Sequence, residues 1–116
     1  MDTEEIKKYI NKELKQFKIK QYSKGYKYLA EAIYICIFNE DAIENMSQNV
    51  YPRVAQKFKV KNTKRVKWTL ENAINTIYRD TEINKICKYF DIDIEQKLTV
   101  KFFIYTIISK YFNSKQ

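Results

Sequence analysis

The chain has 116 residues, a formal charge of +8, no histidine, one glycine, one proline and two cysteines. Its length is one domain's worth, and 45% hydrophobic with 16% aromatic residues is enough apolar surface to fold rather than stay disordered. One glycine excludes Walker-type and Rossmann-type phosphate loops, and the lack of histidine removes the commonest general base and metal ligand.

No apolar run approaches the roughly 20 residues a membrane span needs. The start, MDTEEIKKYI, is acidic then amphipathic and is not a secretion signal. The expectation is a cytoplasmic protein with no membrane partner. Cys36 and Cys87 lie in apolar runs and read as buried free thiols. They are distant in sequence and have no histidine to join them, so a zinc site is not expected. Glu40, Asp41 and Glu44 read as a solvated connector. Neither a metal, a cofactor nor an enzymatic activity is expected.

The scarcity of glycine and proline favours helices with short polar connections. An all-α domain spanning 1–116 is expected, with about six helices over roughly 2–17, 23–38, 50–58, 63–79, 81–90 and 98–111. Thr3 is a candidate cap for the first, with Ile6, Ile10, Leu14 and Phe17 on its apolar face. The second buries Tyr26, Leu29, Ala30, Ile33 and Ile37. Tyr34 and Ile35 extend its apolar surface, so it should be central. Gly25 lies in its first turn, where glycine costs least or permits close packing. Residues 39–49 form a polar connector with room for a turn of helix around Ile43. Thr81 is a candidate cap for the fifth helix, with Ile83, Ile86, Cys87 and Phe90 inward. Residues 91–97 read as a loop or one short edge strand. The last helix, from Thr99, carries Phe102, Phe103, Ile104, Ile107 and Ile108 on its apolar side, and 113–116 should fray.

Residues 50–80 read as a helix-turn-helix: a short helix from Pro52 to Phe58, a turn over 59–62, and a longer helix opening at Thr63 as its cap. Val66, Leu70, Ala73 and Ile77 make one apolar stripe. At about 100° per residue the opposite face holds Lys64, Trp68, Glu71, Asn72 and Asn75, with Arg65 and Lys67 on the flanks. The segment holds eight basic and two acidic residues, which is six of the chain's +8. A basic patch focused in this way points to nucleic acid. It lacks the broad apolar face that a membrane-surface helix would insert.

Four segments in register resemble the C-terminal DNA-binding effector domain of the sporulation stage-zero response regulator of endospore-forming Firmicutes. Lys24-Gly25-Tyr26-Lys27-Tyr28-Leu29-Ala30-Glu31-Ala32-Ile33 is similar to that family's K-G-Y-x-Y-L-x-E-A-I. Val50-Tyr51-Pro52-Arg53-Val54-Ala55-Gln56-Lys57-Phe58 is similar to L-Y-P-x-I-A-x-K-F. Arg65-Val66 with Ala73-Ile74 matches the ends of R-V-E-R-A-I-R-H-A-I. Thr99, Phe103 and Ile104 match P-T-N-S-E-F-I. The resemblance implies a six-helix domain of winged-helix-like type that binds short DNA repeats, often as tandem copies. It also implies contact with RNA polymerase sigma factor.

The departures bear on readout. Lys67 stands where the family has a base-reading carboxylate, Trp68 where it has an arginine, and Glu71-Asn72 where it has R-H. The turn between Phe58 and Arg65 reads one residue longer. The scaffold is kept and the readout rewritten, so preference for the family's own DNA element is not expected. No receiver domain is expected in a chain of this length, and hence no control by aspartyl phosphorylation.

The base-reading candidates are Lys64, Arg65, Lys67, Trp68 and Asn72, since arginine and lysine suit guanine and asparagine suits adenine. The phosphate candidates are Arg53, Lys57, Lys59, Lys61, Asn62, Thr63 and Arg79. Trp68 has three readings open: touching thymine methyls, packing on a partner, or tucking under a neighbouring helix. Tyr51 and Tyr78 read as core aromatics. The expected activity is sequence-specific binding of double-stranded DNA, as a small transcriptional regulator or a plasmid or phage accessory factor, with a homodimer on tandem sites or other DNA-processing proteins as further partners. The competing reading is a protein-interaction module that has lost DNA reading. RNA binding is weaker, for want of an aromatic stacking surface.

Overall fold

α1 (Thr3–Leu14) starts at Asp2, whose carboxylate accepts from the backbone N–H of Glu4 at 3.0 Å and of Glu5 at 3.4 Å. Asp2, not Thr3, is therefore the cap. It meets the free N–H groups of the first turn with a charge of the favoured sign. The helix ends sooner than the expected residue 17. Phe17 is buried against the rings of Tyr89, Phe90 and Phe103, with centroids 5.0–5.7 Å away, and the chain must leave the helical path after Leu14 to deliver it there.

The computed structural model describes residues 2–115, and the architecture is all-helical with no strand among the described residues. α2 (Lys24–Phe38) is capped by the Ser23 hydroxyl, which accepts from Tyr26 N–H at 3.1 Å. It packs against α1, α4 (Tyr51–Lys57), α5 (Thr63–Asp80) and α7 (Val100–Ser114), the central position that its broad apolar surface predicts. Ala30 and Tyr34 are half-buried on its rim. The connector after it is more ordered than expected: Glu40–Asn45 is a 3₁₀ helix and α3 (Met46–Asn49) follows, with Ala42, Ile43 and Met46 buried. These apolar residues, spaced three and four apart, pull a polar stretch onto the core.

α4 (Tyr51–Lys57) has its proline in the first turn, where the missing N–H is no loss. α5 (Thr63–Asp80) buries Val66, Leu70, Ala73, Ile74 and Ile77. Val66, Leu70, Ile74 and Ile77 each contribute about 1.5–3 kcal/mol by leaving water. α6 (Ile83–Phe90) buries Ile86 and Phe90 and leaves Ile83 and Cys87 half-buried, so Cys87 is not the core thiol its context suggested; an eight-residue helix shows a narrow stripe inward. Cys36 is fully buried, and burial pushes its thiol up from 9.0 to about 11, with Arg53 acting weakly the other way.

Thr81 is not the cap of α6. It closes α5, and its buried hydroxyl accepts from the backbone N–H of Lys18 at 2.9 Å. Residues 91–97 form a loop, opened by Asp91 in the left-handed conformation (φ 54°) and not a strand. α7 (Val100–Ser114) is capped by Thr99, whose hydroxyl accepts from Phe102 N–H at 3.1 Å. It runs past the expected end at 111 and takes in the first two residues of the stretch expected to fray, because Tyr111 is buried and edge-on to Tyr9 at 5.0 Å; Gln116 lies outside the described residues. Phe102 is half-buried. One buried carboxylate, Glu13, is satisfied by the Tyr89 hydroxyl at 2.6 Å, and burial pushes that phenol up strongly.

Candidate nucleic-acid interface

α4, the turn and α5 form the expected helix-turn-helix, with boundaries set by local chemistry. After Lys57 the chain closes a Schellman-type cap. Val60 N–H reaches back to Ala55 C=O at 2.8 Å and Lys59 N–H to Gln56 C=O at 3.4 Å. This requires a left-handed residue at 59, and Lys59 takes it at φ 57°. Val60 then packs on the core beside Phe58 and ties the turn down. The cap of α5 is Asn62, not Thr63: its side-chain oxygen accepts from Lys64 N–H at 2.8 Å. Thr63 is the first helical residue and is exposed.

Every base-reading candidate is exposed on α5: Lys64, Arg65, Lys67, Trp68 and Asn72. Trp68 is 66% exposed, which removes the reading that tucks it under a neighbour. Arg65, Trp68 and Asn72 fall at i, i+3 and i+7, on one line along the helix. Lys64 stands one turn before Trp68, and Lys67 one turn before Glu71. The helix crest at Trp68 and Asn72 separates two open furrows. One, of about 920 Å³, runs along Thr69, Thr76 and Arg79 toward the α1–α2 connection. The other, of about 400 Å³, runs along Glu71 and Asn75 toward the 97–101 segment. Tyr51, buried at the start of α4, lines the second furrow; burial, then the Glu71 carboxylate, pushes its phenol up. Tyr78 is half-buried rather than a core aromatic, and its hydroxyl donates to Ile94 C=O at 2.8 Å.

The phosphate candidates divide. Arg53, Lys59, Lys61, Asn62 and Thr63 are exposed around the turn. Lys57 is paired with Glu31 on α2 at 2.7 Å, which sequence reasoning did not foresee. Arg79 forks onto its neighbour Asp80 with bonds of 2.8 and 3.0 Å, and those bonds hold the Asp80 carboxyl below the usual range. Both cations are exposed, so solvent screens each pair and either cation is free to exchange partners.

Residues 10–111 match the family model described as Sporulation initiation factor Spo0A C terminal. The chain belongs to that family. It is a family of helical, DNA-binding domains of a transcription regulator. No curated protein matches the chain. Of the helix-turn-helix positions that agree with the Spo0A C-terminal pattern, Tyr51, Ala55, Val66, Ala73 and Ile74 are buried, Pro52 and Phe58 are half-buried, and Arg65 is exposed. Lys57 and Glu31 agree with it too, and they bond to each other. The departures, Lys67, Trp68, Glu71 and Asn72, are all exposed on α5. Packing constrains the buried positions and leaves the exposed ones free to vary.

Among the described residues no helix is long and apolar enough to cross a membrane, and no three His, Cys, Asp or Glu side chains cluster.

Proposed function

We propose that this chain is a sequence-specific binder of double-stranded DNA, acting as a small transcriptional regulator or as an accessory factor of a plasmid or phage. α5 enters the major groove with its first turns leading. Arg65 and Asn72 supply directional hydrogen bonds to base edges, Lys64 and Lys67 flank them, and Trp68 lies against thymine methyls. Arg53, Lys59 and Lys61 hold phosphates, joined by Lys57 and Arg79 when these leave their carboxylate partners. Asn62 and Thr63 add contacts at the helix start. The reading places the protein in the cytoplasm. Its partners are short DNA repeats, taken by tandem copies or a homodimer, and RNA polymerase sigma factor or other DNA-processing proteins, as the family resemblance implies.

The observation that carries this proposal is a separation of faces. All seven cations between Arg53 and Lys67 are exposed, while the apolar stripe of α5 is buried. The lysine at 59 adds to it. A left-handed seat is cheapest for glycine, so a charged residue held there argues for use of the charge.

The test is selection of bound fragments from a random duplex pool, followed by mobility shifts at several salt concentrations. Arg65→Ala should cost about 1–3 kcal/mol on the selected site and little on random DNA. Absence of any duplex binding at low salt would sink the proposal. The exposure of Trp68 supports a second reading, a protein-interaction module. In that case Trp68→Ala breaks a protein complex while DNA affinity stays negligible.

A further inference from the structure

The larger furrow beside α5 has a far bank that lies outside the helix-turn-helix and is strongly basic. Lys15, Lys18, Lys20 and Lys24, all exposed, stand along the connection between α1 and α2, and Lys85 closes the end. The one carboxylate lining the furrow is Asp80, and Arg79, which also lines it, balances that charge. Among the described residues none of these five lysines has a carboxylate within ion-pair distance. Unpaired like charges gathered around a concavity repel one another, and they focus a positive potential into it.

The bank is also held in place. Lys18 N–H donates to the Thr81 hydroxyl at 2.9 Å, which fastens the connection to the end of α5. Ser23 bonds back to Lys20 through its backbone N–H (3.0 Å) and its hydroxyl (2.7 Å). Gly25 lies so close to α5 that a Cβ built on it would sit 2.8 Å from the Cβ of Ala73. The lysine stems thus start from a segment fixed to the same helix that carries Arg65, Trp68 and Asn72. The opposite furrow is less cationic, with Lys97 and Lys101 facing Glu71.

We infer that this furrow is a second binding surface for the DNA backbone, in which Lys15, Lys18, Lys20 and Lys24 hold the phosphates of the strand that runs beside α5. The inference rests on the reading of α5 as a major-groove helix. The major groove is about 12 Å wide, so a helix that fills it has a phosphodiester strand along each side. The furrow shares Trp68 and Asn72 with the crest and follows the second half of α5. Phosphate contacts of this kind set register and affinity without reading sequence.

The experiment compares three full-length proteins by fluorescence anisotropy on the selected duplex and on a random one, from low to high salt. They are the wild type, Lys15→Gln/Lys18→Gln/Lys20→Gln, and a control with the same charge loss toward the other end of α1 and just past the end of α7, Lys7→Gln/Lys8→Gln/Lys115→Gln. Circular dichroism melts verify that each is folded. Each lost phosphate contact lowers the salt slope by about 0.9, so the furrow variant should lose about 2–3 from the slope on both duplexes. The ratio of selected to random affinity should stay within about twofold, and the control should lose less than one. Replacing the same three lysines by arginine should keep the wild-type slope. If the furrow variant matches its control while the wild type still binds, the inference is overturned and the major-groove reading stands. If the wild type binds neither duplex, both fall together.

Discussion

Substituting Gly25 by alanine tests how closely α2 and α5 approach. The added Cβ would lie 2.8 Å from the Cβ of Ala73, with the Ala73 Cα at 3.6 Å and Ile19 Cδ1 at 3.7 Å. Ordinary carbon contacts are about 3.5–4.0 Å, so the two helices must part by roughly 1 Å. Overpacking of this kind costs about 1–3 kcal/mol, offset by at most about 1 kcal/mol from replacing a helical glycine. A net loss of about 0.5–2 kcal/mol is expected for Gly25→Ala. Ala73→Gly alone should lose about 1.5–2 kcal/mol, from helix propensity and a buried methyl group. Independent effects would add. Here the swap moves the methyl from one helix to the other and removes the clash. The double variant should therefore lose no more than Ala73→Gly alone, a favourable coupling of about 1–3 kcal/mol. Guanidinium unfolding followed by helical circular dichroism measures all four proteins. A coupling below about 0.5 kcal/mol would refute the close-approach argument, and with it the claim that the α1–α2 lysines are held rigidly against α5.

Further outcomes follow from single positions. Asn62→Ala should lose about 0.5–2 kcal/mol as the α5 cap goes, whereas Thr63→Ala should lose little; chemical denaturation of the pair shows which residue caps. Lys59→Gly should leave stability unchanged or raised by up to about 1 kcal/mol, since glycine is at ease at positive φ but freer when unfolded. Its DNA salt slope should nevertheless fall by about 0.9, so weaker binding without a lower melting temperature marks a lost phosphate contact. Thiol labelling at pH 8 should modify half-buried Cys87 quickly and Cys36 slowly, because Cys36 is enclosed and protonated. The native state holds the Cys36 proton more tightly than the unfolded chain, so its contribution to stability is full below pH 9.0 and is lost as pH rises toward about 11. Replacing Cys36 by alanine, whatever it does to absolute stability, should flatten that part of the pH profile.

Much of the helical plan was legible in the chain itself. The stripe of Val66, Leu70, Ala73 and Ile77 reads directly as a buried face, since apolar side chains at helical spacing have one way to leave water. The run of cations with no carboxylate among them reads as an exposed surface, because unpaired charge is not buried. The four segments in family register fall in helices and caps that local propensity already favours. Boundaries were less legible. Asn62 and Thr63 are both good caps, and only the bond to Lys64 N–H separates them.

What the sequence by itself determined is therefore which side of each helix faces inward, and that the charge gathers on one helix-turn-helix. What only the tertiary structure decided is which distant residues meet. Phe17 leaves its helix because an aromatic cluster contributed by α6 and α7 receives it. Thr81 serves Lys18 rather than its own helix start, and Lys57 finds Glu31. The α1–α2 lysines come to line a furrow beside α5 because a glycine and an alanine let two helix backbones nearly touch. Periodicity along a chain records the solvent preference of each residue, but it holds no record of the partner across the core, since any apolar face of matching shape satisfies it equally well.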